Sequence, residues 1–533
     1  MCKKKAYNTN AEEEIQRWQF GSAGTADGKR TPGVNLKSVD LVGGATLKRR
    51  SENKGSYKAT PKHYQLQEEQ LMKAGETKLI GLQEALQLER KKISSLYKQY
   101  ANPGLATMLG LINFDKKFVR AEGVRVWDDK GDEYLDFLGG YGALNFGHNH
   151  PRIVEAVQQA AELPNLLQAA LGTLYAALAH NLAQITPGEL SRSFFGNSGA
   201  EAVEGALKLA RAATGRKRII YCEGSFHGKT LGALSVTGKG KYQDPFRPLI
   251  PGCESVPYGS AEALEDKLKD GDAAAFIVEP IQGEGGVYVP EPGYLKRARE
   301  ICSRYGTLLI IDEIQTGFAR TGTLFACEQE GVVPDIMCLG KSLGGGIMPI
   351  SAFTTTEEIW DRAFGGFERC TLHTSTFGGN ARACAAGIAA IQVMLEDKLD
   401  AEAREKGAYL MQGMKELQQK YPSFIKEVRG RGLLIGVEFN RFSGGILNRV
   451  TGGRLEKIVD EYLAALVAGE LMNRYHIITA YTLNNPNVIR FEPPLIVSRE
   501  QLDYLLEALD DIFKKHRSIW GLLLAGGKNI LLK

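Results

Sequence analysis

Thr307–Thr354 reads TLLIIDEIQTGFARTGTLFACEQEGVVPDIMCLGKSLGGGIMPISAFT. It opens on an apolar run, Leu308 to Ile311, of a length that suits a buried strand. The run ends on two carboxylates, Asp312 and Glu313, followed by Gln315 and a loop rich in Gly and Thr. A second apolar run, Ile336 to Leu339, ends at Gly340-Lys341, and three glycines follow at 344–346. Strand tips of this kind are where open α/β sheets build their sites. The link from Lys341 to the next apolar run, Ile350 to Phe353, is too short for a helical crossover. That strand is expected to run antiparallel to its neighbours.

An acid at one strand tip and a lysine at the next suit pyridoxal phosphate chemistry. That cofactor needs a lysine to bond its aldehyde and an acid facing its pyridine nitrogen. Asp312 and Lys341 are the candidates, the amine made nucleophilic by desolvation. Spacing alone also fits an ordinary strand pair with a capping Asp and a solvated Lys. The longer pattern IIDEIQTG…ACE…PDI…LGKSLGGGIMPI resembles the signature of the class III, or ω-type, aminotransferases, and most closely of their putrescine-using branch.

The resemblance covers Tyr64 to His516. It implies an α/β protein of the type I pyridoxal-phosphate-dependent transferase fold. A large domain with a mostly parallel sheet would occupy 151–400. A smaller α/β domain would come from both chain ends, 61–150 and 401–516. It further implies a homodimer with active sites shared at the interface. The substrates would be a small-molecule amine donor and a 2-oxo acid acceptor, and the mechanism ping-pong. The donor would be a diamine, putrescine or cadaverine, and the acceptor 2-oxoglutarate. Alternatives are an ornithine-, acetylornithine- or 4-aminobutyrate-type aminotransferase, or an aminomutase.

Other motifs align with this. In FFGNSGAEAVEGALKLAR (194–211), Val203, Ala206, Leu207 and Ala210 mark one helical face. Ser198, Gly199 and Ala200 lie at the helix start, where free amides and the dipole suit a phosphate. A plain N-cap at Asn197 or Ser198 has the same appearance. Many members carry Thr at the position of Ala200. In GSFHGKT (224–230) the family sets an aromatic ring over the pyridine, here Phe226 with His227 beside it. Ornithine-type relatives carry Arg where Lys229 stands and use it on a donor carboxylate. Lys lacks the bidentate fork, which argues for a diamine. Gln315 belongs to the implied cofactor set. So does Thr376 of HTSTFGGNARA, which in the family reaches the neighbouring subunit's phosphate. Ala381 replaces the family's usual Pro. Tyr141 of GGYGALNFGHNHP would line the donor pocket. Glu284 of EPIQGEGG and Arg490 of VIRFEPPL are implied as a switched pair: Arg490 binds an acceptor carboxylate once Glu284 swings away. His148 and His150 have the spacing of metal ligands, but nothing joins them. No metal is expected; a capped turn before Pro151 is the simpler reading.

Coarse patterning fills in the rest. Residues 64–100 read as helices carrying Leu79, Ile80, Leu82, Leu86, Ile93, Leu96 and Tyr97, ended by Asn102-Pro103-Gly104. Phe118 to Phe137 reads as a small meander turning at Asp129–Asp132. Strands Ile219–Cys222 and Ala275–Glu279 and a helix 292–305 complete a strand–helix rhythm. Helices are expected over 383–395, 402–419, 455–474 and 498–515, with Ser498 as N-cap. Strands are expected over 432–439 and near Ile477 and Val488.

Composition bounds the partners. The chain has 533 residues, a hydrophobic share of 43% and a net charge of +4. Residues 1–60 hold 12 Lys/Arg against 6 Asp/Glu and lack periodicity, so they read as a basic, disordered extension. The basic bias ends there, which argues against nucleic acid as a partner. Eight cysteines are scattered without a CxxC pair. That suggests neither zinc nor a disulfide framework and suits a reducing cytoplasm. No secretory h-region or spanning segment is visible. The apolar tail 517–533 is too short to span a membrane.

Overall fold

The computed structural model describes residues 79–111, 113–440, 454–516 and residue 521. The extension 1–60 and nearly all of the tail 517–533 lie outside these residues. Met1–Gly81 forms a unit of its own, of which only 79–81 is described. The second unit, Leu82–Lys533, carries the sheets and the site.

Among the described residues, fifteen strands form three sheets. β1 (Phe118–Glu122), β2 (Arg125–Asp128) and β3 (Glu133–Asp136) are the expected meander. Its turn is held by Asp128 Oδ1, which accepts from the amides of Lys130 and Asp132 at 3.0 and 3.1 Å. The central sheet takes β4 (Arg192–Gly196), β5 (Arg218–Cys222), β6 (Cys253–Val256), β7 (Ala273–Val278), β8 (Leu308–Asp312), β9 (Ile336–Leu339) and β10 (Ser351–Thr355). Their order is β4-β10-β9-β8-β7-β5-β6. β10 runs antiparallel to both of its neighbours, and every other pairing in this sheet is parallel. The short link after Lys341 produces this reversal, as the sequence predicts.

Every residue of β7, β9 and β10 is buried, as expected of a sheet covered on both faces. Successive side chains point to opposite sides. Ile310, Ile277 and Cys338 join a core with the helix Gly199–Thr214. Leu309, Ile311, Val278 and Met337 join the larger core that includes the helices Tyr294–Arg304 and Ala381–Glu396.

The third sheet takes β11 (Ile425–Arg431), β12 (Leu434–Phe439), β14 (Ala480–Tyr481) and β15 (Val488–Phe491). β13 (Ile477–Ile478) leaves it and pairs in parallel with β3, Ile477 opposite Leu135. Segments from both halves of the chain thus share one sheet. The helix Arg499–His516 starts with a reciprocal box: Ser498 Oγ accepts from Gln501 N at 3.3 Å, and Gln501 Oε1 accepts from Ser498 N at 2.9 Å.

Some expectations need correction. Of the helices expected over 64–100, the part before Leu79 lies outside the described residues, and Leu82–Gln87 and Arg90–Tyr100 are helical as expected, though neither buries a residue. Leu79, Leu82 and Leu86 are exposed. Asn102-Pro103-Gly104 does not end the helical region: Asn102 Oδ1 accepts from Leu105 N, and Pro103–Leu111 is a further helix. The strands β4, β6, β11 and β14 are not among those expected from the sequence.

Candidate active site

The C-terminal tips of the parallel strands converge. Asp312 is the last residue of β8, Lys341 follows β9 by two residues, and Glu279 follows β7 by one. The loop after β5 carries Phe226 and His227, and the helix Gly199–Thr214 starts three residues beyond β4. Ser198 is the cap of that helix, its Oγ accepting from Glu201 N at 3.3 Å. A Cβ built on Gly199 would lie 2.9 Å from Ile314 Cδ1, and one on Gly340 would lie 3.6 Å from Gly199 Cα. Helix start and lysine loop therefore meet backbone to backbone. Ala200 Cβ would be 2.7 Å from a Cβ on Gly228, which ties in the Phe226 loop.

Asp312 is buried, with Oδ2 2.7 Å from His227 Nδ1 and Oδ1 accepting from Ile314 N at 3.0 Å. Lys341 has a left-handed backbone, φ +44°, which costs a non-glycine residue energy and is held by its surroundings. Burial lowers its amine pKa; Arg490 adds to this, while Glu492, Glu284 and Asp312 oppose it. Glu279 is buried beside Asp312. Burial first, then that neighbouring carboxylate, raises its pKa well above the usual carboxylate range.

A second group faces the first. Arg490, fully buried, places Nη1 2.8 Å from Glu284 Oε1 and Nε 3.2 Å from Glu492 Oε2. Glu284 Oε2 also accepts from Leu483 N at 2.9 Å. Burial pushes the Glu284 pKa up, but Arg490 and this amide hold it below the ordinary value. The ring of Tyr141 lies 5.2 Å from the guanidinium carbon, on a left-handed backbone with φ +59°. Gln315 bridges the groups: its Nε2 reaches Glu492 at 3.0 and 3.2 Å and Tyr141 O at 3.4 Å.

The structure thus gathers Ser198, Gly199, Ala200, Phe226, His227, Asp312 and Lys341, with Glu284, Arg490, Tyr141 and Gln315 opposite. Thr376 stands apart: it is exposed, its carbonyl accepts from Gln168 Nε2, and no bond among the described residues links it to these groups. His148 Nε2 lies 2.9 Å from Asp136 Oδ2. His150 precedes the helix Pro151–Gln159 but does not cap it with its side chain, which corrects the capped-turn reading. Sequence reading missed Glu492 and Arg320. Arg320 is fully buried, and desolvation lowers its pKa to about 10. Glu492 had a signal: two residues past Arg490 in extended chain, it shares that side chain's face.

The donor set matches one cofactor. Free amides at a helix start suit a phosphate, a buried carboxylate suits a pyridine nitrogen, and a desolvated amine suits an aldehyde. His227 Nε2 and Arg490 Nη2 are buried without a partner, so groups here remain to be satisfied. Fold and site together define a pyridoxal-phosphate-dependent enzyme of the type I fold. Within that class the chain belongs to the class III aminotransferases, whose family model, "Aminotransferase class-III", matches residues 112–513.

Solved structures agree. The chain is similar to ornithine aminotransferase from Toxoplasma gondii ME49, with 34% identity over 84% of this chain and 98% of that one, TM-score 0.71. Another structure of the Toxoplasma gondii enzyme has partial occupancy of PLP at the active site. Acetylornithine aminotransferase from Elizabethkingia anophelis is 33% identical over 80% of this chain and all of that one (100%), TM-score 0.65. An (S)-enantioselective ω-transaminase from Thermomicrobium roseum is 32% identical over 75% and 92%, TM-score 0.67.

Proposed function

We propose that this aminotransferase moves the terminal amino group of a diamine, putrescine or cadaverine, to 2-oxoglutarate, giving an aminoaldehyde and glutamate. The observation that carries the reading is the buried Arg490 with its Nη1 on Glu284 and its Nη2 without a partner. A guanidinium covered by a carboxylate tolerates a cationic donor. The same guanidinium, uncovered, binds an acceptor carboxylate through a planar fork. Lys229 supports the donor half: it is exposed, with Nζ 4.8 Å from the Tyr242 ring, and offers no fork to an α-carboxylate.

The bound cofactor supplies an electron sink for the carbanion that deprotonation of the donor creates. Lys341 Nζ would take the proton from the donor's amine-bearing carbon, pass it on within that half-reaction, and in the second deliver one to the acceptor carbon that becomes amine-bearing. Asp312, oriented by His227 and the Ile314 amide, holds a proton at the pyridine nitrogen. Phe226 and Gln315 would help to hold the cofactor's ring. The amides of Gly199 and Ala200, behind Ser198, would hold the phosphate, and Thr376 would serve the phosphate of a second subunit. The exposed side chains Leu167, Leu171, Phe367, Leu372 and Phe377 support such a homodimer. The described cysteines are all free thiols, which supports a cytoplasmic location.

A second reading has its own support, since ornithine and acetylornithine aminotransferases are among the similar structures. A donor panel decides. Purified protein loaded with pyridoxal phosphate and 2-oxoglutarate is given putrescine, cadaverine, ornithine, acetylornithine and 4-aminobutyrate, and glutamate is measured. Highest kcat/KM with a diamine is expected; highest kcat/KM with an α-amino acid rejects the diamine reading.

A further inference from the structure

Arg490 carries two carboxylates, and they are not equivalent. Glu284 stands on a short loop helix, Gly283–Gly286, and bonds Nη1, the outer edge of the guanidinium. Glu492 lies beside Nε, the inner edge, and is fully buried. Its oxygens accept from Gln315 Nε2, its backbone amide bonds Phe137 O at 2.8 Å, and Arg320 Nε stands 3.9 Å away. The chain is shaped around it. A Cβ on Gly142 would come within 2.3 Å of Glu492 Oε1, and one on Gly139 within 2.3 Å of the Glu492 carbonyl oxygen. Both glycines also have positive φ, +84° and +56°. Glu284 reaches Arg490 from a loop that also bonds Leu483 N, whereas Glu492 is enclosed by Gly139, Gly142, Gln315 and Arg320.

We propose that Glu492 is a positioning and specificity-determining residue: a fixed counter-charge on the inner edge of Arg490 that biases the pocket toward donors with a cationic far end. With Glu284 in place, Arg490 faces two negative charges. Arg320 offsets the second only partly, since its Nε stands 3.9 Å from Glu492, farther than the 3.2 Å of Arg490 Nε. A positive group at the far end of the donor therefore meets a favourable field in a low-dielectric site. Glu492 also leaves Nη1 and Nη2 as the edge that exchanges partners, so an acceptor carboxylate enters in one orientation. The inference rests on the transamination reading but not on the choice of donor.

The test compares donors of similar length and different far-end charge: putrescine (positive), butylamine (neutral) and 4-aminobutyrate (negative). Each is measured in the donor half-reaction of the pyridoxal-phosphate-loaded protein. Glu492→Gln removes the charge and keeps the shape. Relative to wild type, kcat/KM is expected to fall on the order of 10-fold for putrescine against butylamine, mostly through KM, and to rise for 4-aminobutyrate against butylamine. Glu492→Asp keeps the charge and is expected to keep the wild-type ratios even where rates drop. Equal losses with all three donors in Glu492→Gln, or ratios in Glu492→Asp that move as far as in Glu492→Gln, overturn the proposal. Wild-type protein inert to putrescine overturns the diamine reading alone, and the butylamine to 4-aminobutyrate ratio still decides Glu492.

Discussion

A single side chain in this site is defined by what stands next to it. Lys341 is useful because burial and Arg490 keep its amine from holding a proton as tightly as a solvated lysine does. Lys341→Ala is expected to cut glutamate formation by more than the ~10²–10⁴-fold of general acid–base catalysis, because covalent exchange is lost as well. Some cofactor should survive dialysis on the helix-start amides. A near-wild-type rate in that variant removes Lys341 from its role. Arg490 gives an asymmetric expectation. Arg490→Ala should weaken use of 2-oxoglutarate by about 1.5–3 kcal/mol per charge-assisted bond lost. It should leave the diamine half-reaction largely intact. Stopped-flow spectra of each half-reaction measure this, and equal losses in both reject the acceptor clamp. These residues are legible in the sequence because each sits in a long motif. Arg320 is not, because its importance lies in whom it faces across the fold, which sequence distance hides; Glu492 is marked only by sharing the extended-chain face of Arg490.

At the scale of elements, legibility follows hydrophobic contrast. β7 and β9, fully buried, and β8, buried in all but its first residue, announce themselves as apolar runs. β4, RSFFG, and β6, CESV, have too few apolar residues to stand out from the segments around them. β11, IKEVRGR, carries charge because Lys426 and Glu427 are exposed and the buried Arg429 is paired with Glu438. Helix starts are readable where a capping residue stands in sequence, as at Ser198, Asn380 and Ser498. The packing of the helix Glu357–Phe364 has a pH consequence. His373 lies among Phe194, Phe353 and Phe364, its Nδ1 buried without a partner, and burial lowers its pKa to about 4. The unfolded chain takes up that proton near the ordinary pKa of about 6.5. Between the two values the unfolded state binds more protons, so stability falls as pH drops from about 6.5 toward 4. His373→Phe is expected to narrow the difference in melting temperature between pH 7 and pH 5. An unchanged difference shows that His373 contributes nothing to it.

At the scale of the whole molecule, the proposed dimer is open to direct test. Leu167→Lys with Phe367→Lys places two charges on the exposed apolar surface. Light scattering is expected to give twice the chain mass for wild type and a lower mass for the double variant. A wild-type monomer rejects the shared site. The pairing of β3 with β13 also bears on how the protein is made. β3 ends at Asp136, and its parallel partner β13 begins at Ile477. Arg490 and Glu492 come later still. While a ribosome is producing the chain, the central sheet and Lys341 emerge with one wall of their pocket missing. A nascent chain therefore bears Lys341 before Arg490 and Glu492 are present beside it. The last stretch of translation closes the sheet of β3 and β13 and supplies Arg490 and Glu492, so the pocket's polar wall is complete only when the chain nearly is.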